Sequence, residues 1–244
     1  MRKIAVANRK GGVGKTTSAV HLAAGLALAG RKVLLIDTDA QGHTARLLGL
    51  KPEKGLADLM EGRGAPSGAI VQARPGLDLL AGGKALAGVN RLIARESIRP
   101  EEQLSKALAE LEGKYEYVVV DTSPSFSELG TNVLFYATEA IVPVSMEVLA
   151  AEGLVSFSEE IRHVQEYHAL AVRWILPTFV DMRTRAKTEQ ILDGLRGKYG
   201  ELVTFPVHYS SALSEASAWG KTIWEYKARD RAAEDYAKIA GAVA

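Results

Sequence analysis

The sequence contains no cysteine, no long apolar run and no excess of charge of one sign. Without cysteine there can be no disulfide framework, no cysteine-ligated zinc or iron–sulfur cluster and no thiol nucleophile. No apolar run approaches the roughly 20 residues that a membrane-spanning helix needs. The basic start of the chain, followed by only a short apolar run, does not have the pattern of a signal peptide. These absences predict a soluble protein of a reducing, cytoplasmic compartment.

The charges are nearly balanced, with 30 lysines and arginines against 29 aspartates and glutamates and a formal charge of +1. Composition therefore does not mark a nucleic-acid-binding protein, and any such surface must be local. The chain has 244 residues, and 47% of them are hydrophobic. Such a chain can bury a substantial core, which predicts a single domain spanning residues 1–244.

Short β-rich runs alternate with longer segments of helical periodicity. Strands are predicted at residues 4–7, 32–36, 77–80, 117–120, 140–144, 172–176 and 202–207. Helices are predicted at residues 16–29, 100–111, 125–136, 150–168, 187–199 and 230–243, with a short one at 56–61 in the loop-rich stretch 49–75. This order predicts an α/β fold, with a mainly parallel sheet covered on both faces by helices.

A glycine-rich loop lies between the first predicted strand and the first predicted helix, in the sequence N-R-K-G-G-V-G-K-T-T of residues 8–17. Strand, loop and helix in this order are the context that a phosphate-binding loop requires. Lys15 would neutralise the β and γ oxygens, Thr16 would place its hydroxyl on Mg²⁺, and Thr17 would bond an α-phosphate oxygen. The predicted nucleotide-binding residues of the loop are Lys10, Gly11, Gly12, Val13, Gly14, Lys15, Thr16 and Thr17.

Two alternatives to an ATP-binding loop remain. One is an ordinary glycine turn with a solvated lysine. The other is a dinucleotide-binding turn, because Asp37 follows at about the 20 residues where a ribose ligand is expected. The third glycine of that turn is replaced by Thr17. The common ATPase pattern is itself incomplete, because Arg9 stands where its first glycine is expected.

The loop sequence K-G-G-V-G-K-T-T resembles the deviant Walker A motif of the ParA/MinD group of P-loop ATPases. The wider match is with small ParA partition ATPases and covers most of the chain, including the segments at residues 36–42, 120–125, 142–144, 152–154, 214–216 and 220–223. The resemblance implies that the first lysine, Lys10, reaches across a dimer interface to the partner's nucleotide. It therefore also implies an ATP-dependent homodimer.

Three aspartates follow predicted strands, and parallel strands bring their carboxyl ends to one edge of the sheet. The resemblance implies that Asp39 orients the attacking water and that Asp37 supports the loop and the Mg²⁺ shell. Asp121 resembles a Walker B aspartate, which holds Mg²⁺ through water. The alternative is that these carboxylates only solvate strand ends or cap the turns that follow.

The chain departs from the family at several positions. Ser123 stands where the family commonly has a proline. His208, Tyr209 and Ser210 stand where the family often has proline, arginine and asparagine near the adenine, and His208 and Tyr209 are predicted to contact the nucleotide. Ala212 replaces an arginine that helps the family bind DNA.

The densest basic region follows the sixth predicted strand and opens a helix. Arg183 matches a family arginine implicated in nonspecific DNA binding. The predicted DNA surface consists of Arg183, Arg185, Lys187 and Lys221, with Lys227 as a further contributor. The alternative is a solvated face without a partner.

The resemblance implies an Mg²⁺-dependent ATPase that dimerises with ATP, binds DNA without sequence preference and hydrolyses ATP when a ParB-like partner stimulates it. Its role would be to segregate plasmid or chromosome DNA at the nucleoid, or to position a protein cargo there. A MinD-like membrane ATPase is disfavoured, because residues 236–244 offer little bulky apolar surface to insert. An ATP-dependent carboxylate-activating ligase is the rival from another class, and Lys10 argues against it.

Overall fold

The computed structural model describes the backbone of residues 1–125, 127–146 and 150–244, and within these ranges all side chains except those of 150–153, 155, 156, 185 and 187. Its strands are β1 (Arg2–Val6), β2 (Val33–Asp37), β3 (Ile70–Arg74), β4 (Leu77–Leu80), β5 (Tyr117–Asp121), β6 (Glu139–Ser145) and β7 (Ala171–Thr178). They form one sheet in the order β3-β4-β2-β5-β1-β6-β7. All neighbouring strands are parallel except β3, which runs antiparallel to β4.

Helices cover both faces of this sheet. They are α1 (Lys15–Leu28), α2 (His43–Leu47), α3 (Leu56–Met60), α4 (Leu86–Ile93), α5 (Gln103–Ala107), α6 (Glu128–Tyr136), α7 (Ala150–Gln165), α8 (Arg185–Tyr199), α9 (Ser211–Ala218), α10 (Ile223–Lys227) and α11 (Arg231–Val243). Alternate residues of the fully buried β2 belong to two different cores: Leu34 packs with residues of α4, α6 and α7, and Leu35 packs with residues of α1 and α11. The predicted fold class is therefore confirmed.

The edges of the sheet differ from the prediction. Residues 202–207 do not form a strand; they make isolated bridges at Val203 and just beyond them at His208. The reason is local, because Pro206 has no N–H to donate to a ladder. Strand β3 lies in the stretch predicted to be loop-rich and forms a tight hairpin with β4 through Gly76, whose φ is 75°.

Several helices are shorter or more numerous than predicted. The predicted helix at 100–111 is broken into a 3₁₀ turn at Pro100–Glu102, α5 and a second 3₁₀ turn at Ala109–Leu111. The short helices α2, α4, α9 and α10 were not predicted. Segments of five to eight residues carry too few turns for periodicity to show, and packing rather than propensity stabilises them. No helix in the described ranges combines the length and the apolar character needed to cross a bilayer.

His21 connects α1 to α10 inside the core and is 1% exposed. Its Nδ1 donates to the Thr17 carbonyl at 2.8 Å, and its Nε2 accepts the Ile223 amide at 3.1 Å. The ring stacks on Tyr236 with centroids 4.9 Å apart. Both nitrogens are used by a neutral imidazole, and burial lowers the pKa of His21 to about 4.

The free energy of unfolding is expected to fall as the pH drops from about 6.5 to about 4, because the unfolded chain binds a proton at His21 that the folded chain does not. The loss from this residue reaches roughly 3 kcal/mol near pH 4. Urea unfolding at several pH values measures it. A His21→Gln variant should lose this part of the pH dependence, and the control His163→Gln, at an exposed site, should keep it. An unchanged pH profile in His21→Gln would contradict the assignment.

Candidate nucleotide-binding site

The glycine loop between β1 and α1 has the backbone geometry of an anion cradle. Gly12 and Gly14 have φ values of 73° and 83°, the left-handed region that favours glycine. Helix α1 begins at Lys15, so the free amides of its first turn lie at the end of the loop. A Cβ at Gly14 would lie 3.6 Å from the ring of Phe179. The loop is thus shaped for backbone contact with phosphate.

Two residues outside the predicted set brace the loop. Asn8 donates from Nδ2 to the Pro143 carbonyl at 2.7 Å and accepts the Lys10 amide at 3.0 Å. Thr178, at the end of β7, donates its hydroxyl hydrogen to the Val13 carbonyl at 2.9 Å. Asn8 starts the glycine stretch, which is a weak sequence signal for it. Thr178 has no such signal, since only the fold brings β7 to this place.

Lys15 is 6% exposed, and its ammonium donates to the Lys10 carbonyl at 2.9 Å. Burial lowers the pKa of Lys15, and the negative charges of Asp121 and Asp39 act in the opposite direction. The structure therefore brings the predicted phosphate-binding lysine and two of the predicted acids into electrostatic contact. A buried cation beside the free amides of α1 favours an anionic ligand.

Asp121 ends β5, directly opposite Asp37 of β2 and Val6 of β1. It is fully buried, and neither carboxylate oxygen has a well-formed hydrogen bond in the described part of the chain, although the Thr16 hydroxyl lies close enough to act on it. Burial and the neighbouring charge of Asp37 raise the pKa of Asp121 well above its usual range, while Thr16 and Lys15 oppose the rise. Buried acceptors without a well-formed hydrogen bond fit a hydrated cation, because Mg²⁺ usually keeps several of its waters.

A magnesium ion here would depend on more than carboxylates. No group of three histidine, cysteine, aspartate or glutamate side chains in the described ranges could hold a metal on its own. Thr16 lies in the first turn of α1, and it acts on the Asp121 carboxyl. The residues present therefore fit an ion shared between Thr16, phosphate oxygens and water.

Asp37 uses both carboxylate oxygens to hold the loop that follows β2. Its Oδ1 accepts the Asp39 amide at 2.8 Å, and its Oδ2 accepts the Thr44 hydroxyl at 2.6 Å and the Thr44 amide at 3.2 Å. Burial raises the pKa of Asp37, and these hydrogen bonds lower it. Of the two roles expected of Asp37, support of the loop and a place in the Mg²⁺ shell, these contacts favour support of the loop.

Asp39 lies half-buried at the rim of the site. Its Oδ1 accepts the Gln41 amide at 2.9 Å, and its carbonyl accepts the amides of Gly42 and Gly83, both at 3.0 Å. A Cβ at Gly82 would come within 2.6 Å of the same carbonyl. The backbone of Asp39 is thus fixed by close contacts, and its carboxylate lies near Lys15 and Asp121.

A pocket of about 90 Å³ adjoins the loop at Gly14 and Thr17. Both predicted base-contact residues, His208 and Tyr209, line it. The His208 ring holds Asp235 Oδ2 through Nδ1 at 2.7 Å, and the His208 amide donates to the same oxygen at 3.0 Å. Tyr209 is 56% exposed. Phe179, which sequence reasoning missed, lines the same pocket. The structure thus brings both predicted base-contact residues beside the glycine loop, and their contact with a base stays a prediction.

Arg183, one of the predicted DNA residues, is less free than its sequence suggests. The Arg183 guanidinium pairs with Asp181 at 2.8 Å and lies over the Tyr209 ring, 5.7 Å from its centroid. Lys221 is exposed in the turn between α9 and α10. Arg185 and Lys187 lie in the first turn of α8, but their side chains are outside the described residues. Arg183 therefore lies at the border of the pocket that His208 and Tyr209 line.

Comparison with known proteins links this site to nucleotide-driven partition. A family described as an AAA domain matches residues 1–173. The chromosome-partitioning ATPase Soj of Thermus thermophilus is 36% identical over 98% of this chain and 94% of the relative. The chromosome partitioning protein ParA of Caulobacter vibrioides is 33% identical over 98% of this chain and 92% of the relative.

A similar solved structure is cobyrinic acid a,c-diamide synthase from Mycobacterium smegmatis, bound to an ATP analogue and magnesium. It is 32% identical, with a TM-score of 0.85 over 100% of this chain and 94% of that one.

Proposed function

The chain belongs to the ParA/Soj family of partition ATPases, and on that premise we propose that it is a DNA-bound switch set by ATP. ATP closes a homodimer, the dimer binds DNA without sequence preference, and a ParB-like partner stimulates hydrolysis and so releases the DNA. Residues 1–244 act as one ATPase domain, because the seven strands share one sheet.

The phosphate chemistry depends on the loop and on α1. The amides of Gly12 to Gly14 and the α1 N-terminus bind the phosphate oxygens, and Lys15 neutralises their charge. Thr16 would hold Mg²⁺ through its hydroxyl, and Asp121 would hold it through water. A bound Mg²⁺ supplies positive charge to the oxygens that become more negative during transfer. Asp39 orients the attacking water, and Asp37 keeps the Asp39 loop in place.

The observation that carries the proposal is the second lysine of the loop. Lys15 is buried within its own loop and is tethered to the Lys10 carbonyl, so the neutralising role is filled within the protomer. Lys10 itself is partly exposed in the same loop. A lysine there is suited to reach the nucleotide of a second copy, as an arginine finger does.

We propose that the dimer binds the DNA of the nucleoid, in the cytoplasm, and that its cargo is moved there. The segregated object is a plasmid or a chromosome; a protein assembly positioned on the nucleoid is the alternative. A membrane-bound role is less well supported, since the apolar residues of α11, among them Tyr236, Ile239 and Val243, are buried against the core.

A carboxylate-amidating enzyme is the second candidate, because the diamide synthase is 32% identical in sequence and shares the fold. The chain has no cysteine to act as the nucleophile that would release ammonia from an amide donor. Substrate dependence separates the two functions. A partition ATPase turns over ATP faster when DNA and its partner are added, whereas an amidating enzyme needs a carboxylic acid and ammonia.

DNA affinity is expected to depend steeply on salt, hardly on sequence, and on the basic residues near α8. An Arg183→Ala/Arg185→Ala/Lys187→Ala variant should bind at least about tenfold more weakly at 0.1 M salt, because each lost phosphate contact reduces counterion release. Fluorescence anisotropy with two unrelated duplexes, in ATP and in ADP, measures this. The control variant Arg91→Ala/Lys106→Ala/Lys114→Ala removes as much charge from another surface. Equal loss in both variants, or no ATP-dependent binding by the wild type, would contradict the proposal.

A further inference from the structure

A large groove, with a volume of about 680 Å³, lies outside the nucleotide site, between α4, α6, α7 and the turn at residues 100–102. Its apolar lining includes Ile93, Pro100, Phe135 and Val164, and Tyr167, 72% exposed, stands at its edge. The volume falls within the roughly 300–1,000 Å³ of ligand pockets. Apolar walls formed by helices are the setting in which an amphipathic helix is bound.

The rim of this groove is acidic. Four glutamates line it, namely Glu96, Glu101, Glu128 and Glu160, and no lysine or arginine appears among the described residues of its lining. The lining histidine, His163, is itself 3.7 Å from Glu166. A protein with nearly balanced overall charge therefore presents a local negative field around an apolar floor.

Glu160 is the glutamate with a buried acceptor. Its Oε2 has no hydrogen-bond partner in the described structure. Burial raises the pKa of Glu160 to about 7, while the charge of Arg9 opposes the rise. An unpartnered acceptor in an apolar wall costs free energy that a cationic donor would recover. The groove thus carries both apolar area and a buried carboxylate oxygen that has no hydrogen bond in the described structure.

Side-chain hydrogen bonds hold the groove walls in place. Asn132 donates to the Pro100 carbonyl at 2.9 Å and accepts the Leu104 amide at 3.0 Å, which ties α6 to the turn before α5. Asn90 accepts the Leu129 amide at 3.0 Å, which ties α4 to the first turn of α6. The walls are pre-organised, which lowers the entropic cost of binding.

We propose that this groove binds a cationic amphipathic helix of a partner protein, with its apolar side on Phe135 and Tyr167 and its lysines or arginines on the glutamate rim. Two features connect the groove to the nucleotide site. Helix α6, which forms one wall, starts at Glu128, shortly after the loop that follows Asp121. Arg9, whose charge acts on Glu160 in the groove, directly precedes Lys10 in the glycine loop. That this partner is the one that stimulates hydrolysis rests on the proposed function; the binding does not.

The test uses a fluorescent peptide of about 18 residues in which lysines and leucines occupy opposite helix faces. Its anisotropy is followed with wild-type protein, with Glu96→Lys/Glu101→Lys in the groove, and with Glu201→Lys/Glu234→Lys at exposed sites elsewhere. The groove variant is expected to bind at least about tenfold more weakly, and the control within about twofold of the wild type. A Tyr167→Ala variant is expected to bind about threefold more weakly.

A scrambled peptide of the same composition and a peptide with glutamate for lysine are expected to bind at least about tenfold more weakly than the amphipathic one. Equal weakening by both double variants would mean attraction to overall charge and would overturn the proposal. Equal affinity for the scrambled peptide would overturn it too. Displacement of the peptide by self-association, seen as a doubled mass, would assign the groove to a second copy instead. Peptide binding is measured without nucleotide or DNA, so its failure is separate from failure of the partition function.

Discussion

A Lys15→Ala variant is expected to lose ATP binding, with an increase in Kd of at least about 100-fold. Lys15 is the buried cation of the loop. It is the first residue of α1, and its ammonium donates to the Lys10 carbonyl. Removing it leaves the phosphate charge without its neutralising group in a poorly solvated site. Titration of a fluorescent ATP analogue measures the change, and Lys106→Ala, an exposed lysine of α5, is the control.

The companion variant Asp39→Ala should behave differently, because Asp39 lies at the rim and takes no part in the cradle. It is expected to bind ATP as the wild type does and to hydrolyse it about 100-fold more slowly, the effect typical of losing a positioning base. Equal nucleotide affinity together with equal turnover in Lys15→Ala and Asp39→Ala would contradict the roles assigned to both.

The second large effect is expected from Lys10→Ala, which should leave ATP affinity at low protein concentration unchanged and reduce hydrolysis by about 10³-fold. The size follows from the finger residues that act across an interface. The Lys10 carbonyl, which holds Lys15, is retained in the variant. Single-turnover hydrolysis at high protein concentration and nucleotide titration at low concentration are compared, with Lys84→Ala as the control.

A lysine that acts within its own protomer would give another pattern. Lys10→Ala would then weaken ATP binding at low concentration, as Lys15→Ala does, and its hydrolysis defect would not depend on protein concentration. Either result would contradict a contact between Lys10 and the nucleotide of the other protomer.

The nucleotide loop could be predicted from sequence because its chemistry is local. Glycines that need positive φ, a lysine and a threonine at the start of a helix lie within residues 10–17, and the structure has Gly12 and Gly14 in that conformation. Asp121 could be predicted equally well, since an acid that ends an apolar run is visible in sequence. That its carboxylate has no well-formed hydrogen bond in the described part of the chain could not be predicted, because that depends on three neighbouring strands.

Contacts between distant segments were out of reach. Thr178 and Phe179 reach the loop only because β7 lies beside β6 in the sheet. The pairing of Arg183 with Asp181 and Tyr209 was missed, since a basic run in sequence does not show which acid neutralises it. The acidic groove was missed for the same reason: its glutamates come from four separate segments between residues 96 and 160.

The mass of the Asp39→Ala protein by light scattering, with Mg²⁺ and either ATP or ADP, tests the central claim most directly. Slow hydrolysis in this variant keeps ATP bound for the measurement. The account predicts the mass of a dimer with ATP, of a monomer with ADP, and of a monomer with ATP when Lys10→Ala is added. A monomer in all three samples, or a dimer that persists without Lys10, would contradict it.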